Sequence, residues 1–186
     1  MTLYFDTRDE LIAHLIKPGM IVCEIGTFEG EFAKKMSKLN PQVVVCIDGF
    51  HHMMASGDQD GNNMKEVFMP AIYKQLCEEA AQYRLVINRG WSFDVLPQYP
   101  NETFDFIYID GDHSYEGCKR DLILCSQKIK KGGIIAGHDY FVNIAKHKGE
   151  FSCGVGKAVN EFCDEYGWKV IALGMDGCVS YALIAV

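Results

Sequence analysis

The 186 residues carry 48% hydrophobic against 23% charged side chains, which suits one ordinary folded domain and argues against disorder. A net charge of −7, with no basic cluster denser than "KIKKGG" at 128–133, argues against a partner held through many phosphates. Eight cysteines include no C-x-x-C pair, which argues against a zinc knuckle or a thioredoxin-like centre.

In chain order, "TRDE" at 7–10 is a capping box, with Thr7 and Glu10 three apart. It opens a helix carrying Leu11, Ile12, Leu15 and Ile16, which "KPG" at 17–19 stops. "MIVCEIG" reads as a buried strand, "GEFAKKMSKL" as a helix and "VVVCID" as a second buried strand. A polar loop follows over 49–63, then a helical pattern through Val67, Phe68, Ala71, Ile72, Leu76 and Ala80, with Pro70 near its start or kinking it. "RLVINRG" is a third strand, "SFDVLPQY" a short helix and "FDFIYID" a fourth strand. "SYEGCKRDLILCSQKI" is a helix with Cys118, Leu122, Cys125 and Ile129 on its apolar face, and "KIKKGG" reads as its C-terminus, where cations are favourable. "GGIIAGHD" is a fifth strand, Val155, Val159, Phe162 and Tyr166 mark a last helix, and "KVIAL" and "SYALIAV" are two paired strands. Cys23, Cys46, Cys118 and Cys125 lie inside these apolar segments and act as small hydrophobes.

Strands alternating with helices predict a parallel α/β sheet covered on both faces, in a single domain over 1–186, with an N-terminal helix at 1–19 and the core at 20–186. The N-terminus lacks a basic start followed by a long apolar run, so no signal peptide is expected. No apolar stretch is long enough to span a bilayer, and a reducing cytoplasm is the expected compartment.

Loops at the carboxyl ends of the strands gather on one edge, where such sheets bind ligands. "EIGTFEG" ends the first strand there, and its E-x-G-x-x-x-G spacing differs from the G-x-G-x-x-G of nicotinamide proteins. Gly26 permits a tight turn and a close approach, Gly30 lets the next helix begin near the ligand, and Glu24 suits a cationic group. Asp48 ends the second strand about twenty residues on, where an acid takes ribose hydroxyls. Trp91 and Ser92 follow the third strand; Trp91 reads equally as an adenine flank or a core aromatic. The fourth strand delivers Asp110, Asp112 and His113 within four residues, and the fifth delivers His138 and Asp139.

Together "VCEIGTFEG", "VVVCID", "FDFIYIDGDHSYEGCKRDL" and "KKGGIIAGHDY" resemble the class I S-adenosylmethionine-dependent methyltransferases, and more narrowly their small-molecule O-methyltransferase-like group, over residues 21 to 167. The resemblance implies a Rossmann-like, doubly wound, mostly parallel seven-stranded sheet whose last strand is antiparallel. It also implies that Glu24, Gly26 and Gly30 lie near the methionine part of S-adenosylmethionine and Asp48 on its ribose, with Thr27, Trp91, Ser92 and Asp110 completing the cofactor site. By analogy with catechol-type enzymes, Asp110, His138 and Asp139 stand where Asp, Asp and Asn hold magnesium, and His113 stands where a lysine is the general base. A histidine in the ligand set moves the preference from magnesium towards other divalent cations. The expected partner is a small-molecule hydroxyl acceptor, with no nucleic acid and no membrane, and a homodimer is compatible with this reading. The competing readings are a metal-independent methyltransferase using His113 alone, a non-catalytic S-adenosylmethionine-binding module and, weakest, a nicotinamide oxidoreductase. His14 and His147 read as surface residues; His51 and His52 read as ordinary loop histidines more than as an acceptor-pocket lining, Met53 and Met54 as an adaptable apolar face of that loop, and Tyr140 and Phe141 as candidates to contact an acceptor.

Overall fold

Leu3–Phe5 form a first strand, β1, too short for alternation to announce it; it pairs parallel with Ala172–Gly174 near the other end of the chain. The computed structural model that shows this describes the backbone of residues 1–55, 64–142, 153–175 and 177–186, and their side chains except those of 52–55, 64–67 and 142. Helix α1 (Arg8–Leu15) is capped as its sequence requires: the Thr7 hydroxyl accepts from the Glu10 N–H at 3.1 Å. Glu10 reaches back one residue further than the cap, to the Asp6 N–H at 3.1 Å.

The main elements follow as β2 (Ile21–Ile25), α2 (Glu31–Ser37), β3 (Val43–Asp48), β4 (His51–Ala55), β5 (Met64–Phe68), α3 (Pro70–Tyr83), β6 (Leu85–Arg89), α4 (Ser92–Val95), β7 (Phe104–Ile109), α5 (Tyr115–Lys128), β8 (Ile129–Val142), α6 (Val155–Tyr166), β9 (Trp168–Gly174) and β10 (Cys178–Ala185). A single 3-10 turn, Leu96–Gln98, extends α4. The large sheet has eight strands in the order β1-β9-β10-β8-β7-β2-β3-β6, the expected seven plus β1, and β10 runs antiparallel to both its neighbours.

Both faces of the sheet are covered, so its central strands are continuous apolar runs. Cys23, Ile25, Ile107 and Ile109 pack with α5 and α6; their strand neighbours Val22, Phe106 and Tyr108 pack with α1 and α2. Cys23, Cys46, Cys118 and Cys125 are all buried within these two layers. From β2 the chain winds outward through β3 to β6, then returns to place β7 on the other side of β2. The switch point therefore lies between β2 and β7, the crevice where open α/β sheets bind ligands. The ends of these strands are tied together: the Gly26 N–H donates to the Ile47 carbonyl at 2.9 Å and the Asp110 N–H to the Ile25 carbonyl at 2.8 Å.

Three expectations need correction. The loop predicted over 49–63 contains β4, which pairs with β5 as a two-stranded antiparallel hairpin. Val67 and Phe68 belong to β5 and not to the helix, because Pro70 is the first helical residue, where its missing N–H costs nothing. The basic "KIKKGG" straddles a boundary: Lys128 ends α5, Ile129 begins β8, and Lys130 in that strand pairs with Asp105 at 2.8 Å. Residues 56–63 and 143–152, including His147, lie outside the described residues. Among the described residues no helix is long and apolar enough to cross a membrane.

Candidate active site

A cleft of about 540 Å³ opens at the switch point, and Gly26, Asp48, Trp91, Ser92 and Asp110 are on its wall. Gly26 has φ +85°, and a Cβ there would stand 2.0 Å from the Asp110 carbonyl oxygen. Only glycine lets β2 turn this close to β7. Gly30 is not on the wall: it caps α2 at φ +77°, and a Cβ there would meet Leu76 of α3 at 2.4 Å. There it lets α2 pack closely against α3.

Glu24 and Thr27 are 2% and 4% exposed, and Glu24 Oε2 and Thr27 Oγ1 have no hydrogen-bond partner among the described residues. Burial pushes the Glu24 carboxyl well above the usual range, over the opposing pull of the Thr27 hydroxyl, and the charges of Asp110 and Asp48 push the same way as burial. Orphaned buried polar atoms carry a cost that a bound donor removes. Asp48 accepts from the Phe28 N–H at 2.7 Å and from the Phe50 N–H, which fixes its carboxylate at the cleft edge. These features fit S-adenosylmethionine, a cationic ligand with an amino group and ribose hydroxyls.

Trp91 is 42% exposed, so it is a wall residue and not a core aromatic. It stacks between His51, with centroids 5.7 Å apart, and Phe93 at 6.4 Å, while the Arg120 guanidinium covers Phe93 at 4.5 Å. The Ser92 hydroxyl donates to Asp121, a 2%-exposed acid of α5 whose carboxyl burial pushes up to about 6. This bond joins the β6–α4 and β7–α5 walls of the cleft.

Beside the cleft, adjacent parallel strands β7 and β8 deliver Asp110 and Asp139. The His113 ring lies between them, Nε2 at 3.4 Å from Asp110 Oδ1 and Nδ1 at 3.4 Å from Asp139 Oδ2. His138 Nδ1 stands 3.4 Å from Asp139 Oδ2 and 3.8 Å from Asp110 Oδ1. Asp110, His113 and Asp139 each offer a donor atom, all within 4.8 Å of one another, so this donor set fits a divalent cation. The three-residue group contains His113 where the sequence reading put His138, which stands at its edge.

The Asp110 carboxylate, then the charges of Asp139 and Asp112, raise the His113 pKa against its burial. Burial pushes Asp139 up, but the bond and charge of His138 and the charge of His113 prevail and hold its carboxyl below the usual range. Asp112 serves as a cap, its Oδ1 accepting from the Ser114 N–H at 2.9 Å, while Ser114 caps α5 through the Gly117 N–H at 3.1 Å.

Sequence reasoning missed Arg8, whose Nη1 lies 3.4 Å from Asp110 Oδ2 while its guanidinium covers Phe32 at 4.5 Å. It also missed Phe93, Arg120 and Asp121 on the cleft wall. His51 does line the cleft, whereas His14 is exposed and the side chains of His52, Met53 and Met54 lie outside the described residues. Tyr140 donates to Asn160 Oδ1 at 2.6 Å, towards α6, and Phe141 is 58% exposed.

Known proteins share this fold. The O-methyltransferase TomG of Streptomyces achromogenes, solved with S-adenosylmethionine, superposes with a TM-score of 0.63 at 15% identity, covering 96% of this chain and 80% of that one. An S-adenosylmethionine-dependent methyltransferase of Aquifex aeolicus gives 0.64 at 15% identity, covering 97% and 91%. An O-methyltransferase of Bacillus cereus, solved with S-adenosylhomocysteine, gives 0.61 at 16% identity, covering 95% and 78%. The uncharacterized protein R132 of Acanthamoeba polyphaga mimivirus is 29% identical over 138 residues, which is 74% of this chain but 59% of the length of that relative. The methyltransferase domain family matches residues 23–140, from β2 through the Asp110, His113 and Asp139 cluster. The chain belongs to this family, on the class I S-adenosylmethionine-dependent methyltransferase fold.

Proposed function

We propose that the chain transfers a methyl group from S-adenosylmethionine to a hydroxyl oxygen of a small molecule. One observation carries this reading: two carboxylates and two imidazoles converge around Asp110, which is itself on the cleft wall. A protein that only binds the cofactor needs no such group there.

When bound, S-adenosylmethionine supplies the methyl, whose bond to sulfur breaks as the bond to the acceptor oxygen forms. Glu24 would receive its amino group, Asp48 its ribose hydroxyls, and Trp91 would flank its purine. Gly26 keeps the β2 turn against Asp110, so that cofactor and cluster share one edge. The acceptor proton goes to the cluster, where His113, with its raised pKa, is the base nearest both carboxylates. The remaining work is positioning.

A second reading of the same cluster has its own support, because the three donor atoms within 4.8 Å suit a divalent cation. Asp110 and Asp139 would hold it, and its charge would lower the pKa of the acceptor hydroxyl.

A thermal-shift panel with S-adenosylmethionine, S-adenosylhomocysteine and NAD tests the cofactor part. Stabilisation by the first two and not by NAD is expected; stabilisation by NAD alone, or by none, overturns the proposal.

A further inference from the structure

We infer that Arg8 is the cation that receives the carboxylate of the cofactor's methionine part, completing an amino-acid subsite whose acid is Glu24. This rests on the reading of the cleft as an S-adenosylmethionine site, and it gives a binding role to a residue that no local sequence pattern announces.

The charge balance of the cleft calls for such a group. Asp48 and Asp110 stand on its wall, and Glu24, 2% exposed, is buried next to the wall residue Ile25. These acids suit the amino group and the sulfonium. They repel the carboxylate that the same ligand carries, and a partly dry cleft screens that repulsion poorly. Among the described residues on the wall, Arg120 is the one lysine or arginine. It is engaged at the Trp91 end, over the Phe93 ring at 4.5 Å, with Asp121 at 3.8 Å and Asp112 at 3.9 Å. Arg8 is the cation at the Glu24 end. Its Nη1 lies 3.4 Å from Asp110 Oδ2, and its charge pulls the Glu24 carboxyl down.

Arg8 is held in place by the fold. It is the first residue of α1, directly after the Thr7 cap, and the end of β9 packs on it: a Cβ at Gly174 would stand 3.1 Å from the Arg8 Cα. Its guanidinium covers Phe32 at 4.5 Å, and Phe32 is in the first turn of α2, which follows the turn from Gly26 to Gly30. It also engages the Tyr108 hydroxyl. A guanidinium resting on an aromatic ring is pre-organised, and its planar N–H pairs match a carboxylate in two bonds.

Two features mark Arg8 as more than a partner for Asp110. Their contact is loose, since charge-assisted N–H···O bonds close to about 2.7–2.9 Å. An arginine in the first turn of a helix also opposes the helix dipole, which its neighbours Asp9 and Glu10 satisfy. Such a local conflict is expected where a side chain serves a site.

The test compares two probes that differ only in the carboxylate: S-adenosylmethionine and decarboxylated S-adenosylmethionine, which keeps the sulfonium, the amine and the adenosine. Calorimetry measures both against wild type, Arg8→Gln and Arg8→Lys, and melting without ligand checks the fold of the variants. Wild type should bind S-adenosylmethionine about ten- to 150-fold more tightly than the decarboxylated probe, the range for a hydrogen bond to a charged group. Arg8→Gln should lose that preference by weakening S-adenosylmethionine alone. Arg8→Lys, which keeps the charge but not the fork, should retain part of it.

Equal affinity of wild type for the two probes overturns the inference, and this arm needs no variant to fold. Equal weakening of both probes in Arg8→Gln overturns it too, leaving Arg8 a structural partner of Asp110. So does an Arg8→Gln chain that keeps the wild-type preference. Failure of wild type to bind either probe overturns the proposed function itself, and this inference with it.

Discussion

Replacing Asp121 with Asn removes a buried charge and keeps an oxygen for the Ser92 hydroxyl. In the folded chain burial raises this carboxyl from 3.8 to about 6, against the opposing pull of Ser92 and Arg120. The folded state thus takes up the proton at higher pH than the unfolded state does. The contribution to stability is fully present below the unfolded value and is lost as pH rises through the folded one. Over the whole window the loss is about 3 kcal/mol, because each tenfold difference in proton affinity between the two states is worth about 1.4 kcal/mol. Between about pH 5 and about pH 7.5, where the fold is accessible, it is about 1.4 kcal/mol. Urea unfolding of wild type and Asp121→Asn across that range is the assay. Wild type should lose about 1.4 kcal/mol relative to the variant as pH rises. Parallel curves would refute the reasoning, because they would mean that Asp121 titrates alike in both states.

Gly26→Ala should lower the unfolding free energy by more than about 2 kcal/mol, since it adds left-handed strain to a collision with the Asp110 backbone; chemical denaturation measures it. Ser114→Ala should cost about 1 kcal/mol through the lost α5 cap, and calorimetry should find cofactor affinity unchanged. His113→Gln should slow single-turnover methyl transfer by about 10²–10⁴-fold with cofactor affinity near wild type, a loss expected of either a base or a ligand; a wild-type rate would remove His113 from the reacting end.

The parallel strands were legible because they are buried on both faces, so "VVVCID" and "FDFIYID" stand out as apolar runs ending in an acid. Thr7 announced its helix because capping is local chemistry. What stayed hidden depends on contacts far apart in sequence. Arg8 reaches Asp110 across 102 positions, and no spacing rule connects them. The packing of Gly30 against Leu76 was hidden because nothing near it in sequence points to α3. The histidines were visible as candidates, but whether His113 or His138 stands between the carboxylates depends on how the β7–α5 loop folds over β8. β1 escaped because it is a three-residue strand at the edge of the large sheet, and the β4–β5 hairpin because it stands apart from that sheet.

The central claim is that this cleft binds S-adenosylmethionine through the acid ending β3. Calorimetric titration of wild type and Asp48→Ala with S-adenosylmethionine tests it most directly. One equivalent should bind to wild type, and the variant should bind about 1–3 kcal/mol more weakly, about five- to 150-fold in dissociation constant. No binding by wild type, or equal affinity in Asp48→Ala, would contradict the account.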